Sequence, residues 1–395
     1  MHKTLKFVFH AAMAVFVVFE LTLNFYGPDC MSFDCLVFNL SDVRMPILRT
    51  EAPPTTQIEP VVTMPVTEKQ KDIEPGPDLE TLSGEERARL ARSRCEEVYG
   101  NQPKPVNLQY PFENRVFLTN HEKMAYCAVA KAYSSNIKRV MMVLSRPNRN
   151  MEKLKTDMSP ITKIVYPHQL NFWTNSSVLK DLSKSGQTQV LKDYYKFVIV
   201  RDPILKAISA YRDKFFSQTD DKFHKFFRQA TGRAMCLAMD KYRQREDANK
   251  FLKSGTVDCN IKPNYMDLQA FLAWTFLVPD QFKPHDRDNL NPHWAPSIPI
   301  CRICGPTVNY DFIGHFEKGL RDVYAIFDRA NWHFPFPNVS DTSITEEETV
   351  RFRREVDLLP EGLMVELNRA VAVERYILGY TNEKPQIIGG KLRGN

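Results

Sequence analysis

Two short stretches of this chain place cations where a folded polypeptide presents them to an anion. The first is Tyr126-Cys-Ala-Val-Ala-Lys-Ala-Tyr-Ser-Ser-Asn-Ile-Lys-Arg-Val140. Strand-like residues lead into a turn carrying Lys131, and Ile137, Val140, Met141 and Leu144 follow at helical spacing. Ser134 or Ser135 is the predicted N-cap. The first N–H groups of such a helix, its positive dipole end and a lysine together make an anion site. The second stretch is an apolar run ending in Arg201-Asp202-Pro203, with Ile204, Ile208, Tyr211 and Phe215 as the next apolar stripe. Asp202 reads as an N-cap and Pro203 as the first helical residue. An arginine at the carboxyl end of a central strand lies where open α/β sheets bind ligands, and its planar fork suits phosphate. Ser209, at the margin of the stripe, reaches the same ligand. Either junction alone also reads as an ordinary turn, with Lys131 solvated or Arg201 paired to a carboxylate. Two of them in one chain point to a ligand with two separate phosphate groups. The GxxxxGK[ST] loop of nucleotide hydrolases is absent from the sequence.

These residues need a scaffold, and strand-like segments alternate with helix-like ones. Strands are predicted at residues 115–119, 125–129, 163–166 and 194–200, the last a near-continuous apolar run typical of a buried central strand. Helices are predicted at 266–276 and 324–330, with one or two more in 352–377. The alternation predicts an α/β fold, a central, mainly parallel sheet flanked by helices.

The N-terminal part is of another kind. Residues 1–6 carry His2, Lys3 and Lys6, and a mostly apolar segment follows over 7–26, long enough to span a bilayer. Lysines before it and Asp29 and Asp34 after it predict a retained signal anchor with a cytoplasmic N-terminus. Residues 27–104 read as a luminal stem. Its Pro- and Thr-rich part cannot bury enough apolar area to offset chain entropy, and a charged helix opened by Ser83-Gly-Glu-Glu86 is expected to stay outside the core. Residues 105–385 form the globular domain. Asn-x-Ser sequons at Asn39, Asn175 and Asn338 and eight cysteines fit the secretory pathway. Cys301-Arg-Ile-Cys304 reads as disulfide partners in preference to zinc ligands, because no second CxxC accompanies it; spacing does not give the connectivity. The net charge of +6 over 395 residues is modest, and no basic tract calls for nucleic acid.

The two motifs resemble those of the Golgi carbohydrate sulfotransferases of the chondroitin 4-sulfotransferase and HNK-1 sulfotransferase group. The family's first motif, approximately Pro-Lys-Val-x-Cys-Thr-Asn-Trp-Lys-Arg-Val, corresponds to Ala130 through Val140. Its second, Arg-Glu/Asp-Pro followed by Ser-Ala-Tyr-Arg-x-Lys-Phe, corresponds to Arg201-Asp-Pro and Ser209 through Phe215. Asn291-Pro-His-Trp294, Cys301-Arg-Ile-Cys304 and Tyr310 through Glu317 match further landmarks. The resemblance implies a P-loop-like sulfotransferase fold and 3′-phosphoadenosine 5′-phosphosulfate (PAPS) as donor. It also implies a type II Golgi membrane location and a glycan acceptor, with chondroitin-type N-acetylgalactosamine foremost. Residues Ala130, Lys131, Ala132, Tyr133, Ser134, Ser135, Asn136, Lys138 and Arg139 would hold the 5′-phosphosulfate. Arg201, Asp202, Pro203 and Ser209 would hold the 3′-phosphate. Ala130, Tyr133 and Ile137 depart from the family pattern, and Tyr133 is expected to crowd the loop.

In-line transfer of a sulfuryl group requires stabilisation of the leaving phosphate, assigned to Lys131, and a base for the acceptor hydroxyl. His168, His293 and Glu122 are the candidates for that base, and no metal is required. Lys222, Lys225, Arg228, Arg233, Lys241, Arg243 and Arg245 read equally as a surface for an acidic glycan or as a solvated helix face. The alternative to an active transferase is a weakened family member that binds glycan or donor.

Overall fold

The computed structural model describes residues 77–100, 112–145, 177–216, 231–254, 266–279, 291–332, 350 and 354–385. All lie in one compact unit, Ile73–Asn395. The predicted anchor, the strand at 163–166, His168 and the three sequons fall outside these residues.

Five short strands form one sheet: β1 (Val116–Thr119), β2 (Met124–Cys127), β3 (Ser177–Val178), β4 (Tyr195–Val200) and β5 (Phe312–His315), in the order β3-β1-β2-β4-β5. β2, β4 and β5 run parallel, with Cys127 opposite Val198 and Val200 opposite His315. β1 is antiparallel to both β2 and β3. The sheet is therefore mixed, not mainly parallel. The cause is local: only the Asn120–Lys123 turn separates β1 from β2, and a link this short joins antiparallel strands only. Every residue of β2 and β5 is buried, as expected of strands covered on both faces.

The main helices are α1 (Gly84–Tyr99), α2 (Ser134–Leu144), α3 (Lys184–Asp193), α4 (Pro203–Tyr211), α5 (Gly232–Arg243), α6 (Leu268–Leu277), α7 (Leu320–Asp328) and α8 (Glu361–Leu378), of which α1, α2 and α7 pack directly on the strands. α1 begins with a full capping box: Glu86 N–H donates to Ser83 Oγ at 3.2 Å, and Ser83 N–H donates to Glu86 Oε2 at 2.7 Å. The expectation that this charged helix stays outside the core is wrong. Gly84 packs so closely on Phe312 of β5 that a Cβ there would meet the ring at 2.2 Å. Arg87 and Arg94 are buried because distant acceptors satisfy them. Arg87 pairs with Asp322 and donates to Ile313 O at 2.9 Å, and Arg94 donates to Tyr376 O and to Thr381 O.

Two disulfides fasten these layers. Cys95 of α1 is bonded to Cys304, and Cys127, the last residue of β2, to Cys301. The CxxC pair thus serves two separate bridges. They close nested loops of 209 and 174 residues, and either one taken alone constrains the unfolded chain by about 5 kcal/mol in the chain-entropy treatment. A second core lies between α4, α5, α6 and α8, where Phe215, Phe271, Trp274 and Trp294 meet at centroid distances of 5.3–6.4 Å.

Candidate functional site

Because β2, β4 and β5 are parallel, their carboxyl ends open on one edge of the sheet. The loop 128–133, Arg201-Asp202 and Phe316-Glu317 leave from that edge side by side. The turn into α2 is tight: Lys131 and Tyr133 both take left-handed backbone conformations, with φ of 64° and 58°. Asn136 and Ile137 N–H both donate to Tyr133 O at 3.0 Å, so the helix starts at Ser134 with Tyr133 as its N-cap. Neither serine is the N-cap, and the Tyr133 side chain makes no capping bond. The Ser134 and Ser135 N–H groups precede the helical ladder and so have no acceptor within the helix.

Arg201 joins the two junctions. Its side chain is 1% exposed, Nη1 donates to Lys131 O at 3.2 Å, and the guanidinium lies 4.1 Å above the Phe316 ring. Tyr133 does not fill the loop. Its ring packs on Phe316 at 4.4 Å, so Phe316 is held between Tyr133 and Arg201. The positive φ turns this larger side chain onto the β5 end.

Asp202 serves the scaffold. Its Oδ1 caps α4 by accepting from Ile204 and Leu205 N–H, and Arg375 of α8 grips both carboxylate oxygens at 2.6 and 3.1 Å. Its own N–H donates to Glu317 Oε1 at 2.9 Å, and Tyr380 donates to Glu317 Oε2 at 2.9 Å. Burial pushes the Glu317 carboxyl up, against the Asp202 N–H and the Arg201 charge. Pro203 is the first residue of α4 and Ser209 lies half-buried on it.

After α4 the chain unwinds into a wider π-turn, Arg212–Phe216, which carries Asp213 to the first loop. Lys131 Nζ meets Asp213 Oδ2 at 2.8 Å, and Lys214 Nζ meets the same oxygen at 3.1 Å. Burial pulls the Lys131 ammonium down and Asp213 opposes that shift. Burial would raise the Asp213 carboxyl, but the charges of Lys131 and Lys214 outweigh it and hold the group well below the usual carboxylate range. The His293 imidazole is within electrostatic reach of this carboxylate. A turn holds His293 in place, its N–H donating to Asn291 Oδ1 at 3.0 Å, and buried Trp294 follows in the aromatic core.

The structure thus gathers Lys131, Arg201, Ser134, Ser135 and His293 at one edge. Three other candidates lie elsewhere or are engaged. Glu122 belongs to the β1–β2 turn, at the opposite end of β2 from Lys131. Arg139 is buried and bonded to Asn136 Oδ1, and Lys138 lies over the Phe117 ring at 4.7 Å, with burial lowering its ammonium to about 7. Of the basic stretch, Lys222, Lys225 and Arg228 fall outside the described residues, and Arg243 and Arg245 pair with Asp240 and Asp247. Sequence reasoning passed over Asp213, Lys214, Phe316 and Arg375. The first two lie inside the second motif, but a π-turn leaves no mark in apolar spacing.

Residues 114–365 match the model of the Sulfotransferase family. Carbohydrate sulfotransferase 14 of Danio rerio is 27% identical over 261 residues, 64% of this chain and 59% of that protein. Carbohydrate sulfotransferase 11 of Mus musculus is 26% identical over 238 residues, 59% of this chain and 58% of that protein. Carbohydrate sulfotransferase 10 of Mus musculus is 24% identical over 289 residues, covering 68% and 71% of the two chains. The first two matches thus span less than two thirds of those relatives. No solved structure matches the chain. The family match takes in both cationic junctions and the three strand ends that carry them, and the chain belongs to the Sulfotransferase family.

Proposed function

We propose that this protein transfers a sulfuryl group from PAPS to a hydroxyl of a glycan, with a chondroitin-type N-acetylgalactosamine as the foremost acceptor. One observation carries the reading: the Arg201 guanidinium is bonded to the Lys131 carbonyl, so two cationic junctions 70 residues apart meet at one place. A donor with phosphates at the 3′ and 5′ positions of one ribose fits such an arrangement. The names of the relatives support the acceptor class. The predicted anchor and stem support a type II protein of the Golgi membrane with its catalytic domain in the lumen.

PAPS supplies an activated sulfuryl group: the S–O bond to the 5′-phosphate breaks as a new S–O bond forms to the sugar oxygen. Lys131 and the Ser134 and Ser135 amides would hold charge on the leaving phosphate. Arg201 and Ser209 would hold the 3′-phosphate and so fix the register of the donor. His293, within electrostatic range of Asp213, would be the base that takes the hydroxyl proton. None of these roles asks for a metal ion.

Transfer of labelled sulfate by the full-length protein onto a panel of desulfated glycans tests the reading. Label is expected on chondroitin, and it is expected to vanish in Lys131→Ala and Arg201→Ala proteins that still unfold cooperatively. Undiminished transfer by both variants removes the site. Donor binding without transfer by the native protein would favour the weakened binding protein instead.

A further inference from the structure

The Lys131 ammonium, which this reading assigns to the donor, is not waiting in solvent. Asp213 Oδ2 holds it at 2.8 Å and also holds Lys214 Nζ at 3.1 Å. The carboxylate is fixed from both sides along the chain. Arg212 donates from Nε to Glu355 Oε2 at 2.8 Å, and Phe215 is 2% exposed within the aromatic core. The π-turn Arg212–Phe216 between these anchors sets the direction of Asp213; such turns concentrate at functional sites.

An anion drawn to Lys131 therefore meets a carboxylate already in its seat. Two negative groups about 4–5 Å apart repel by several kcal/mol at an effective dielectric near 20. The Asp213 side chain is 35% exposed, so screening reduces that figure. Lys214 also lessens the conflict. When Lys131 turns to the incoming anion, Asp213 keeps its second cation and is not stranded. His293 lies within reach of the same carboxylate, so the exchange takes place beside the favoured base.

We propose that Asp213 is the resting counter-ion of Lys131, displaced by the donor's 5′ group and returning to it when the spent donor leaves. The carboxylate thereby weakens binding of adenosine 3′,5′-bisphosphate and speeds its release. This rests on the donor assignment above. It adds a residue whose task is to limit affinity, so that the product does not block the cleft.

Titration calorimetry of the full-length protein with adenosine 3′,5′-bisphosphate tests it. Asp213→Asn keeps the shape of the side chain and removes its charge, and is expected to bind the bisphosphate about ten-fold tighter. A purely structural role cannot produce a gain in affinity. The gain is expected to disappear when Lys131→Met is added, because the two residues act through one contact. Unchanged or weaker binding by Asp213→Asn, or a gain that persists without Lys131, overturns the counter-ion role and leaves the donor assignment standing. Absence of binding to the native protein removes both.

Discussion

Arg201 carries the sharpest test of the cleft. Arg201→Lys retains the charge but not the planar fork that bonds Lys131 O and lies on Phe316. A charge-assisted hydrogen bond contributes about 1.5–3 kcal/mol, and a planar guanidinium can give a phosphate two parallel ones where an ammonium gives one. The net loss in binding adenosine 3′,5′-bisphosphate should therefore be about 2–3 kcal/mol, or roughly thirty- to 150-fold. The position matters as well as the size. Adenosine 5′-phosphosulfate, which has no 3′-phosphate, should bind native and Arg201→Lys proteins alike. The assay is calorimetry with both nucleotides, beside a thermal unfolding curve to show that the variant is folded. If Arg201→Lys binds the bisphosphate within two-fold of the native protein, or loses both nucleotides equally, Arg201 does not read the 3′-phosphate.

Three further outcomes follow from the packing. Lys206 is buried, its ammonium lowered by burial to about 8; it donates to Ala295 O at 2.6 Å and lies beside Ser297, whose N–H donates to Glu374. Lys206→Met should destabilise the protein by about 3–5 kcal/mol in urea unfolding by leaving Glu374 without its cation; adding Glu374→Gln should restore part of this, and an additive double variant would refute the coupling. His315 is stacked on Tyr380 and bonded to Leu378 O, and burial, followed by the Arg87 charge, lowers it from 6.5 to about 3. The native state then binds fewer protons than the unfolded chain between those values, so its contribution is complete above pH 6.5 and is lost as pH falls toward 3. Between pH 7 and 4.5 that loss is about 2–3 kcal/mol, and the fall should be shallower in His315→Gln; identical slopes would exclude this source. Finally, Cys127→Ser with Cys301→Ser should cost about 2–5 kcal/mol of stability. It should also weaken bisphosphate binding, because Cys127 ends β2 just before the Lys131 loop; unchanged affinity would show that the loop holds itself.

The parts of the site made by consecutive residues were legible in the sequence. The strand ending at Arg201, its Asp202 cap and the Lys131 turn are each local patterns. Contacts made across the chain were not. Nothing in the spacing of Gly84–Tyr99 shows that Arg87 would find Asp322 or that Gly84 would seat on Phe312, so its charge reads as solvent exposure. The hairpin of β1 and β2 was legible, because the predicted strands at 115–119 and 125–129 leave a link too short for a parallel pair, and the alternation of strands and helices concealed it. Tyr133 misled for another reason: the room for its ring comes from Phe316, far along the chain. The Asp213 contact depends on a change of helical pitch that no periodicity announces.

The seating of α1 has a practical consequence for trimming the polypeptide. A version begun at residue 105, where the globular pattern starts in the sequence, would be stripped of this helix. Phe312 would then be bare, Cys304 would lack its mate Cys95, and Asp322 would be left without the Arg87 guanidinium. The strand thereby uncovered, β5, leads into Phe316 and Glu317. Asn382 also donates to Pro77 O and Lys318 to Glu80 O, each at 3.0 Å. A shortened form that keeps these contacts must therefore begin upstream of Pro77.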